Sequence, residues 1–249
     1  MEGKVVLITG GTSGIGLAAA RQFLQCGAEV VLAGRSADRG QAALRDLDGG
    51  KHSFFQAADV RDPAACRAAV QAAIRCFGHL DVLVNSAGIY CEQAAEALTE
   101  DAYAAVMDTN VKGTMFMARY ALPELKKRPG SSIINVASDA GLQGNYGCSL
   151  YCASKGAVTL FTKALALEAA ASQIRVNCVC PGDIATPLTE AQLRAEPSYE
   201  EALQAMRSVY PLGRIGTAEE AAAVIVFLAS PAASFVTGAA WSVDGGITA

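Results

Sequence analysis

The chain opens with the stretch Lys4-Val-Val-Leu-Ile-Thr-Gly10-Gly-Thr-Ser-Gly14-Ile-Gly16. Its first half is a β-branched run that predicts a buried strand over residues 4–8, and an amphipathic pattern follows to about Cys26. Glycines let a backbone approach a pyrophosphate, and a helix N-terminus attracts its negative charge. The spacing departs from Gly-x-Gly-x-x-Gly and lacks Gly-Lys-Ser/Thr, so the stretch predicts a dinucleotide loop rather than a Walker-type loop.

Strand and helix patterns alternate from this stretch to the end of the chain. Six more strands are predicted at residues 29–33, 53–57, 80–84, 132–136, 175–179 and 239–243. Helical patterns cover residues 36–47, 62–77, 99–127, 150–171 and, after a capping box at 217–220, residues 221–229. Continuous apolar strands of this kind are typical of a parallel sheet covered by helices on both faces. We therefore predict an α/β fold with a doubly wound parallel sheet in three layers, α/β/α, as a single domain.

Composition excludes several classes of protein. The 249 residues are 52% hydrophobic and 18% charged, which favours a large core over disorder. A net charge of -4 without a long basic run disfavours nucleic acid as a partner. No apolar run is long enough for a transmembrane helix and no signal segment is recognisable, so we expect no membrane association and a cytoplasmic location. The eight cysteines form no Cys-x-x-Cys pair and only two histidines are present, so no metal site is predicted.

The stretch from Ser138 to Lys155 carries the strongest chemical pattern. Tyr151 and Lys155 are four residues apart, so on a helix they share one face. An ammonium beside a phenol stabilises the phenolate, and we expect it to lower the tyrosine pKa from about 10. Such a tyrosine can exchange a proton with a carbonyl or alcohol oxygen. Ser138 follows a predicted strand and could donate a second hydrogen bond to that oxygen; the alternative is an ordinary helix surface.

Charge at the end of the second strand indicates the choice of cofactor. An NAD-binding fold has an acidic residue there for the ribose hydroxyls, whereas this chain has Gly34 followed by Arg35. Arginine suits a 2′-phosphate by charge and by its forked donors, so we predict that NADP(H) is preferred over NAD(H). A solvated surface arginine is the alternative. Asp59, after the third strand, either accepts from an adenine amine or is a simple turn residue.

Ligands of parallel sheets bind at the carboxyl ends of the strands. Five residues with candidate roles follow predicted strand ends, and we expect them to face one crevice: Gly10, Asp59, Asn85, Ser138 and Pro181.

With these pieces in place, the chain resembles the short-chain dehydrogenase/reductase family along nearly its whole length. The matching pieces are Thr9-Gly10-x3-Gly14-Ile15-Gly16, Asp59-Val60, Asn85-Ser86-Ala87-Gly88, Asn110, Ser138, Tyr151-x3-Lys155, Pro181-Gly182 with Thr186-Pro187, and Val243-Asp244-Gly245-Gly246. Each is weak alone, and together in this order they are highly specific. Ser86 departs from the family pattern, which commonly has a second asparagine there.

The resemblance implies a Rossmann-type fold and a set of roles. Tyr151 would be the general acid/base, Ser138 would steady the substrate oxygen, and Lys155 would bind the nicotinamide ribose. Asn110 would bend its helix and hold a water, which agrees with the way Asn110 and Gly113 interrupt a good helical pattern. The implied cofactor-binding residues are Gly10, Thr12, Ser13, Gly14, Ile15, Gly16, Arg35, Asp59, Val60, Asn85, Ala87, Gly88, Tyr151, Lys155, Pro181, Gly182, Ile184 and Thr186.

The resemblance also implies an organisation of the chain. Residues 1–137 would mainly bind the cofactor, and residues 138–249 would carry catalysis and the substrate. Independently of the resemblance, the prolines at 187, 197 and 211 bound a segment at about 188–210 that we predict to be a mobile lid. The segment 221–229 is apolar nearly all round, so it must be buried on more than one side. We expect a homotetramer with this helix and the last strand in one interface. Asp139, beside Ser138, is expected to face solvent or cap a turn; facing inward, it would raise the pKa of Tyr151.

The leading hypothesis is an NADP(H)-dependent oxidoreductase that interconverts a small-molecule ketone and a secondary alcohol. A 3-oxoacyl thioester is one candidate substrate, with the basic run 126–128 as a docking site for an acidic carrier protein. A hydroxysteroid is a second, because Tyr199, Leu203, Met206 and Val209 give the lid an apolar face. A sugar or polyol is a third, although it would favour a more polar lid. The rival class is a non-catalytic dinucleotide-binding regulator on the same fold.

Overall fold

A seven-stranded parallel sheet lies at the centre of the computed structural model, which describes residues 1–249. The nine strands are β1 (Val5–Thr9), β2 (Glu29–Gly34), β3 (Ser53–Ala57), β4 (Val82–Asn85), β5 (Ser132–Val136), β6 (Arg175–Pro181), β7 (Ile184–Ala185), β8 (Gly216–Thr217) and β9 (Ala240–Val243). The large sheet has the order β3-β2-β1-β4-β5-β6-β9, and β7 pairs with β8 separately. All seven strands predicted from the sequence are therefore confirmed, and the short pair β7–β8 was missed.

Helices cover both faces of this sheet. They are α1 (Gly14–Gln25), α2 (Ala37–Leu47), α3 (Pro63–Phe77), α4 (Glu100–Met107), α5 (Gly113–Leu125), α6 (Ser149–Ala169), α7 (Pro187–Ala195), α8 (Tyr199–Ser208) and α9 (Ala218–Ala229). Alternate residues of each strand serve opposite faces: Val6 and Ile8 pack with α1, α2 and α9, whereas Val5 and Leu7 pack with α3, α5 and α6. The predicted three-layer α/β/α fold is thus confirmed.

Most helix starts follow from capping residues that are readable in the sequence. Ser36, Asp62, Thr99 and Thr217 each accept a hydrogen bond from a backbone N–H in the first turn of the helix that follows. A cap of this kind stabilises a helix by roughly 0.5–2 kcal/mol. Helix α1 differs, because the side chain of Ser13 makes no capping bond and the first turn contains no acidic residue. Its N-terminus is therefore left for another acceptor.

The long helix predicted over residues 99–127 is interrupted where Asn110 and Gly113 break the pattern. A π-helical segment, Asp108–Lys112, separates α4 from α5 and contains the buried Asn110. A Cβ on Gly113 would lie 2.7 Å from the Cγ2 atom of Val60, so only glycine lets α5 pack this closely. The predicted interruption is confirmed, and π segments of this kind are frequent at functional sites.

The predicted lid segment, residues 188–210, folds as α7 and α8. Helix α8 contains no buried residue, and Tyr210 just after it is buried. Few buried contacts favour local opening, but the mobility of this segment stays a prediction. No helix in the structure is long and apolar enough to cross a membrane.

One apolar surface on α9 and β9 remains uncovered in the single chain. Phe227 and Trp241 are 36% and 40% exposed, and their ring centroids lie 5.4 Å apart in an edge-to-face arrangement. The opposite side of α9 is buried against α1 and the sheet through residues such as Ile225. The helix is thus covered on one side only by its own chain.

Candidate active site

The glycine loop between β1 and α1 lies against the end of β4. Gly10 has a φ of +65°, and a Cβ there would lie 2.8 Å from the backbone nitrogen of Ala87. The Thr9 hydroxyl accepts hydrogen bonds from the N–H groups of Ser86 and Ala87 at 3.1 and 3.2 Å. A Cβ on Gly16 would lie 2.5 Å from the carbonyl oxygen of Gly10. The loop is therefore tightly wound, and glycine is required at both positions.

The same loop packs between the end of the second strand and the start of the lid segment. A Cβ on Gly34 would lie 3.1 Å from the Cγ2 atom of Thr12, which places the end of β2 beside the loop. A Cβ on Gly14 would lie 3.2 Å from the Cγ2 atom of Thr186, the N-cap of α7. Ser13 is exposed and Ile15 packs against the core. The predicted loop residues and Thr186 are thus neighbours around the free N-terminus of α1.

Two arginines and one aspartate lie at the predicted adenosine end. The Asp59 carboxylate accepts hydrogen bonds from Arg61, with Nη2 at 2.7 Å and Nε at 3.0 Å from Oδ2, and this contact lowers its pKa. The positive charge of Arg35 also lowers the pKa of Asp59, yet the exposed Arg35 side chain makes no hydrogen bond or ion pair. Arg35 is therefore free for a phosphate. The role predicted for Asp59 toward adenine stays a prediction, since Arg61 already occupies its oxygens.

Tyr151 and Lys155 lie one turn apart near the start of α6, as the spacing predicts. The Nζ atom of Lys155 lies 5.7 Å from the centroid of the Tyr151 ring and donates to the carbonyl oxygen of Val136 at 2.9 Å. Lys155 is only 6% exposed. Burial lowers its pKa to about 8, because a charged ammonium loses solvation inside the protein.

Asn110 is tied to the same cluster by three hydrogen bonds. Its Oδ1 atom accepts from the N–H of Ile89 at 2.9 Å, and its Nδ2 atom donates to the carbonyl of Ile89 at 3.0 Å and to Ser154 at 3.1 Å. A Cβ on Gly88 would lie 3.4 Å from Oδ1 of Asn110 and 3.5 Å from Nζ of Lys155. The π segment thus places Asn110 beside Gly88 and Lys155. The predicted water on Asn110 stays a prediction.

The predicted lowering of the Tyr151 pKa is wrong for the protein's own groups. Burial is the largest influence and raises the pKa of the phenol. A hydrogen-bonding interaction with Ser138 acts in the opposite direction, while the charges of Asp139 and Asp183 raise the pKa further. Lys155 does not offset this rise in the Tyr151 pKa. Its ammonium is directed at Val136, and with a pKa of about 8 it loses its proton before the phenol does.

Asp139 does not face solvent, contrary to the sequence-based expectation. It is 6% exposed, and its Oδ1 atom accepts a hydrogen bond from the Ser138 hydroxyl at 2.7 Å. Asn145 donates to its Oδ2 atom at 3.3 Å. These two hydrogen bonds hold the carboxylate in its buried position. The sequence indicated the alternative correctly: an inward Asp139 raises the pKa of Tyr151.

The remaining predicted residues lie around this crevice with structural contacts of their own. Asn85 is buried and donates to the side chain of Asn135 at 2.9 Å, which braces β4 against β5. Val60, Pro181 and Ile184 are buried, and Ala87 is partly buried. A Cβ on Gly182 would lie 2.8 Å from the Tyr210 ring, so glycine makes room for that ring.

Two tyrosines of the site were not found from the sequence. Tyr210 accepts a hydrogen bond from the N–H of Asp183 at 2.7 Å. The Tyr90 ring lies 5.1 Å from the Tyr151 ring, and its hydroxyl contacts Glu92 at 2.8 Å and the Cys148 thiol at 3.2 Å. A signal for Tyr90 existed, because it follows the Asn85–Gly88 motif by two residues. Nothing comparable marked Tyr210.

A family model described as enoyl-(acyl carrier protein) reductase matches residues 10–248. The chain belongs to the short-chain dehydrogenase/reductase family. It is 40% identical to the 3-oxoacyl-[acyl-carrier-protein] reductase of Thermotoga maritima over 99% of this chain and 98% of that protein. It is also 40% identical to the L-fucose dehydrogenase of Bos taurus over 98% of this chain and 89% of that protein.

A solved structure of an actinorhodin polyketide ketoreductase variant with NADPH superposes with a TM-score of 0.94 and 35% identity, over 98% of this chain and 97% of that chain. Short-chain dehydrogenases/reductases are oxidoreductases that bind a nicotinamide dinucleotide and act on ketones or alcohols. The predicted family and reaction class are therefore confirmed at this level.

The buried lysine generates a stability prediction. Unfolding returns Lys155 to its ordinary pKa of 10.5 from about 8, a difference that corresponds to roughly 3 kcal/mol. Between these values the unfolded chain binds a proton that the folded chain has released, so raising the pH stabilises the folded state. The free energy of unfolding of the wild type, relative to Lys155→Met, should rise between pH 7.5 and pH 10 in urea titrations. Lys163→Met, at an exposed position on α6, is the control; an equal difference at both pH values for Lys155→Met would contradict the prediction.

Proposed function

We propose that the chain is an NADP(H)-dependent oxidoreductase that interconverts a ketone and a secondary alcohol, with Tyr151 as the general acid/base. One observation carries the proposal. Tyr151, with Lys155 one turn away and Ser138 beside it, lies at the carboxyl edge of the sheet, the same edge at which the glycine loop follows β1. Histidine is not an alternative acid/base here. His52 contacts Glu29, the first residue of β2, and His79 lies beside Asp81, which precedes β4. Both histidines therefore lie at the amino edge of the sheet, opposite Tyr151.

The residues around the glycine loop fit a dinucleotide phosphate. Gly10 and Gly16 remove side-chain bulk, and α1 offers first-turn N–H groups without a side-chain cap. Arg35 lies at the end of β2 with no protein partner, where a 2′-phosphate would receive a charge-assisted contact. The NADPH in the ketoreductase neighbour supports this choice. When bound, the nicotinamide supplies or accepts the hydride.

The chain's own residues manage one proton. Tyr151 gives its proton to the oxygen as a ketone is reduced and accepts it as an alcohol is oxidised. Ser138 would contact the same oxygen. Lys155, whose Nζ atom lies beside Gly88 and Asn110, would bind the ribose of the cofactor. Asn110 holds the Ile89 segment and α6 in register through its three hydrogen bonds.

The structure argues against a carrier protein docked on the basic run 126–128. Arg128 contacts Asp81 at 3.2 Å, and Asp81 also accepts from the N–H of Val5 at the start of β1. The run therefore lies at the amino edge of the sheet, opposite the site, and Lys127 is paired with Glu124. A free ketone or alcohol is the substrate form that we propose.

A panel assay tests the function and its rival. Purified protein is assayed by nicotinamide absorbance with NADP(H) and NAD(H) on 1-phenylethanol/acetophenone, ethyl 3-hydroxybutyrate/ethyl acetoacetate, estradiol/estrone, L-fucose and D-glucose. Turnover of at least one pair is expected. Cofactor binding without turnover of any pair would favour the non-catalytic rival.

Removing the Tyr151 hydroxyl should abolish most turnover. Tyr151→Phe keeps the ring, and loss of general acid/base catalysis typically costs 10²–10⁴-fold in rate. Cofactor affinity should change little, because the hydroxyl is directed at the substrate. Tyr146→Phe is the control, since Tyr146 is fully exposed nearby. Retention of more than about a tenth of the wild-type kcat by Tyr151→Phe would assign this chemistry elsewhere.

Removing the free arginine should change the cofactor preference. Arg35→Ala loses a charge-assisted contact of about 1.5–3 kcal/mol, so NADP(H) affinity should fall at least about tenfold while NAD(H) affinity changes little. Fluorescence titration of both cofactors provides the measurement. Arg39→Ala, an exposed arginine on α2, is the matched control. Equal or tighter NAD(H) binding by the wild type would contradict the preference.

We also propose that the uncovered surface on α9 and β9 is an interface in a homotetramer. Phe227 and Trp241 form an exposed aromatic pair on α9 and β9, and covering this pair would stabilise an assembly. Light scattering at micromolar concentration should give a mass near four chains. Phe227→Glu should reduce that mass, whereas Phe235→Glu, at a fully exposed position outside α9 and β9, should not. A fully active wild-type monomer would contradict the assembly.

A further inference from the structure

Tyr90 packs against the ring of Tyr151 from another part of the chain, the segment that follows β4. Its side chain is partly buried, and its ring centroid lies 5.1 Å from that of Tyr151 at an interplanar angle of 67°. Aromatic side chains favour such edge-to-face arrangements at centroid distances of about 4.5–7 Å. One side of the Tyr151 ring is therefore covered by Tyr90.

The hydroxyl of Tyr90 is held by two neighbours. It donates its single proton to Oε2 of Glu92 at 2.8 Å, because a carboxylate is a stronger acceptor than a thiol. The Cys148 thiol, 3.2 Å away, is then the donor to the Tyr90 oxygen. Burial raises the pKa of Tyr90, and both contacts add to this rise. Tyr90 thus keeps its proton and is not a second acid/base.

Backbone contacts fix the segment that carries Tyr90. The N–H of Gln93 donates to the carbonyl of Gly147 at 2.7 Å, which ties this segment to the turn before α6. On the other side of Tyr90, the Asn110 side chain bonds both the N–H and the carbonyl of Ile89. The position of the Tyr90 ring is therefore set at its backbone and again at its hydroxyl.

Tyr90 acts on Tyr151 without a charge of its own. The other titratable groups around the Tyr151 ring are Lys155 and Cys148 near the start of α6, Asp139 after β5 and Asp183 after β6. The two carboxylates raise the pKa of Tyr151 by their charge, but burial is the largest influence on it. Because Tyr90 stays neutral, its contribution is to the burial.

We propose that Tyr90 is a positioning residue that holds the Tyr151 ring in one orientation and shields it from water, while Glu92 and Cys148 hold Tyr90 in place. The inference rests on the proposed function of Tyr151 as the acid/base. Misplacement of a reacting group by about 1 Å can cost on the order of 100-fold in rate, so a fixed ring favours the reaction. Shielding disfavours the phenolate, because a charged group loses solvation when water is excluded. Alcohol oxidation, which requires the phenolate, is thereby shifted to higher pH.

The test compares Tyr90→Ala and Tyr90→Phe with the wild type on the most active alcohol/ketone pair of the panel. Tyr90→Ala removes the cover, so the rising limb of kcat/KM for alcohol oxidation should move to lower pH by about one unit. Its plateau kcat should fall about tenfold or more, because the Tyr151 ring loses its fixed orientation. Tyr90→Phe keeps the ring and loses only the bonds to Glu92 and Cys148, so its limb should stay at the wild-type pH.

Two further variants serve as controls. Tyr146→Ala makes the same change at a fully exposed tyrosine in the turn before α6 and should shift neither quantity. Thermal unfolding identifies which variants remain folded. If Tyr90→Ala does not fold, Tyr90→Leu removes the aromatic ring with less loss of volume and should shift both quantities in the same directions.

A double-mutant cycle tests whether Tyr90 acts through Tyr151. In a Tyr151→Phe background the acid/base is already lost, so Tyr90→Ala should lower the residual kcat by less than about twofold, far below its effect in the wild type. A structural role unrelated to Tyr151 would instead lower kcat by the same factor in both backgrounds.

Equal losses in the two backgrounds would overturn the inference, as would an unchanged pH limb in Tyr90→Ala. A limb that moves as far in Tyr90→Phe would also overturn it, because the hydroxyl rather than the ring would then be responsible. These outcomes leave the proposed function intact. Activity retained by Tyr151→Phe, or a wholly inactive panel, would contradict the proposed function itself and the inference with it.

Discussion

The position of the site depends on a buried ammonium that is held at the end of a central strand. Lys155 donates to the carbonyl of Val136, the last residue of β5, and this contact fixes α6 against the carboxyl edge of the sheet. The turn after β5 is pressed onto the same helix, since a Cβ on Gly141 would lie 2.8 Å from the Lys155 carbonyl. Ser138 and Asp139 lie between these two contacts. Their distance from Tyr151 is therefore set by these two contacts, one made by the buried Lys155 side chain and one by backbone packing.

The desolvation of Lys155 has a cost, and its contacts show why the fold retains it. A lysine whose pKa is lowered to about 8 is destabilising near neutral pH unless something else compensates. The Val136 carbonyl compensates in part, and an anionic or polar ligand beside Gly88 would compensate further. Groups with perturbed pKa values in a cleft are typical of functional sites, and Lys155 fits that description by geometry as well.

Much of the fold could be predicted because buried parallel strands form continuous apolar runs, and recognisable turn and helix-start residues separate them. Residues 132–136 and the Asp62–Pro63 helix start are found where the sequence placed them. The pair β7–β8 was missed because a two-residue strand leaves no periodicity to detect. The direction of Asp139 was also beyond the sequence. Whether a turn residue points inward depends on nearby hydrogen-bond donors such as Asn145, and the positions of those donors are set only when the turn folds.

The electrostatics of the site were least predictable, because they depend on desolvation by distant segments. The i, i+4 spacing of Tyr151 and Lys155 correctly predicts proximity, yet it says nothing about the burial that raises the phenol pKa. At the adenosine end, the sequence indicates Arg35 but does not show whether Asp59 pairs with Arg35 or with Arg61. Only the structure shows that Asp59 binds Arg61 and leaves Arg35 free.

A comparison of two buried aspartates shows how the two edges of the sheet differ. Asp81, at the amino edge, is paired with Lys4 and Arg128 and accepts from the N–H of Val5, so its pKa is lowered despite burial. Asp139, at the carboxyl edge, has no cation and only two neutral donors. A fold optimised for stability alone would pair both carboxylates, because a buried charge without a partner is costly. The unpaired aspartate lies at the edge where chemistry is expected. We infer that the carboxyl edge keeps Asp139 unpaired for function, whereas the amino edge pairs Asp81 with cations for stability.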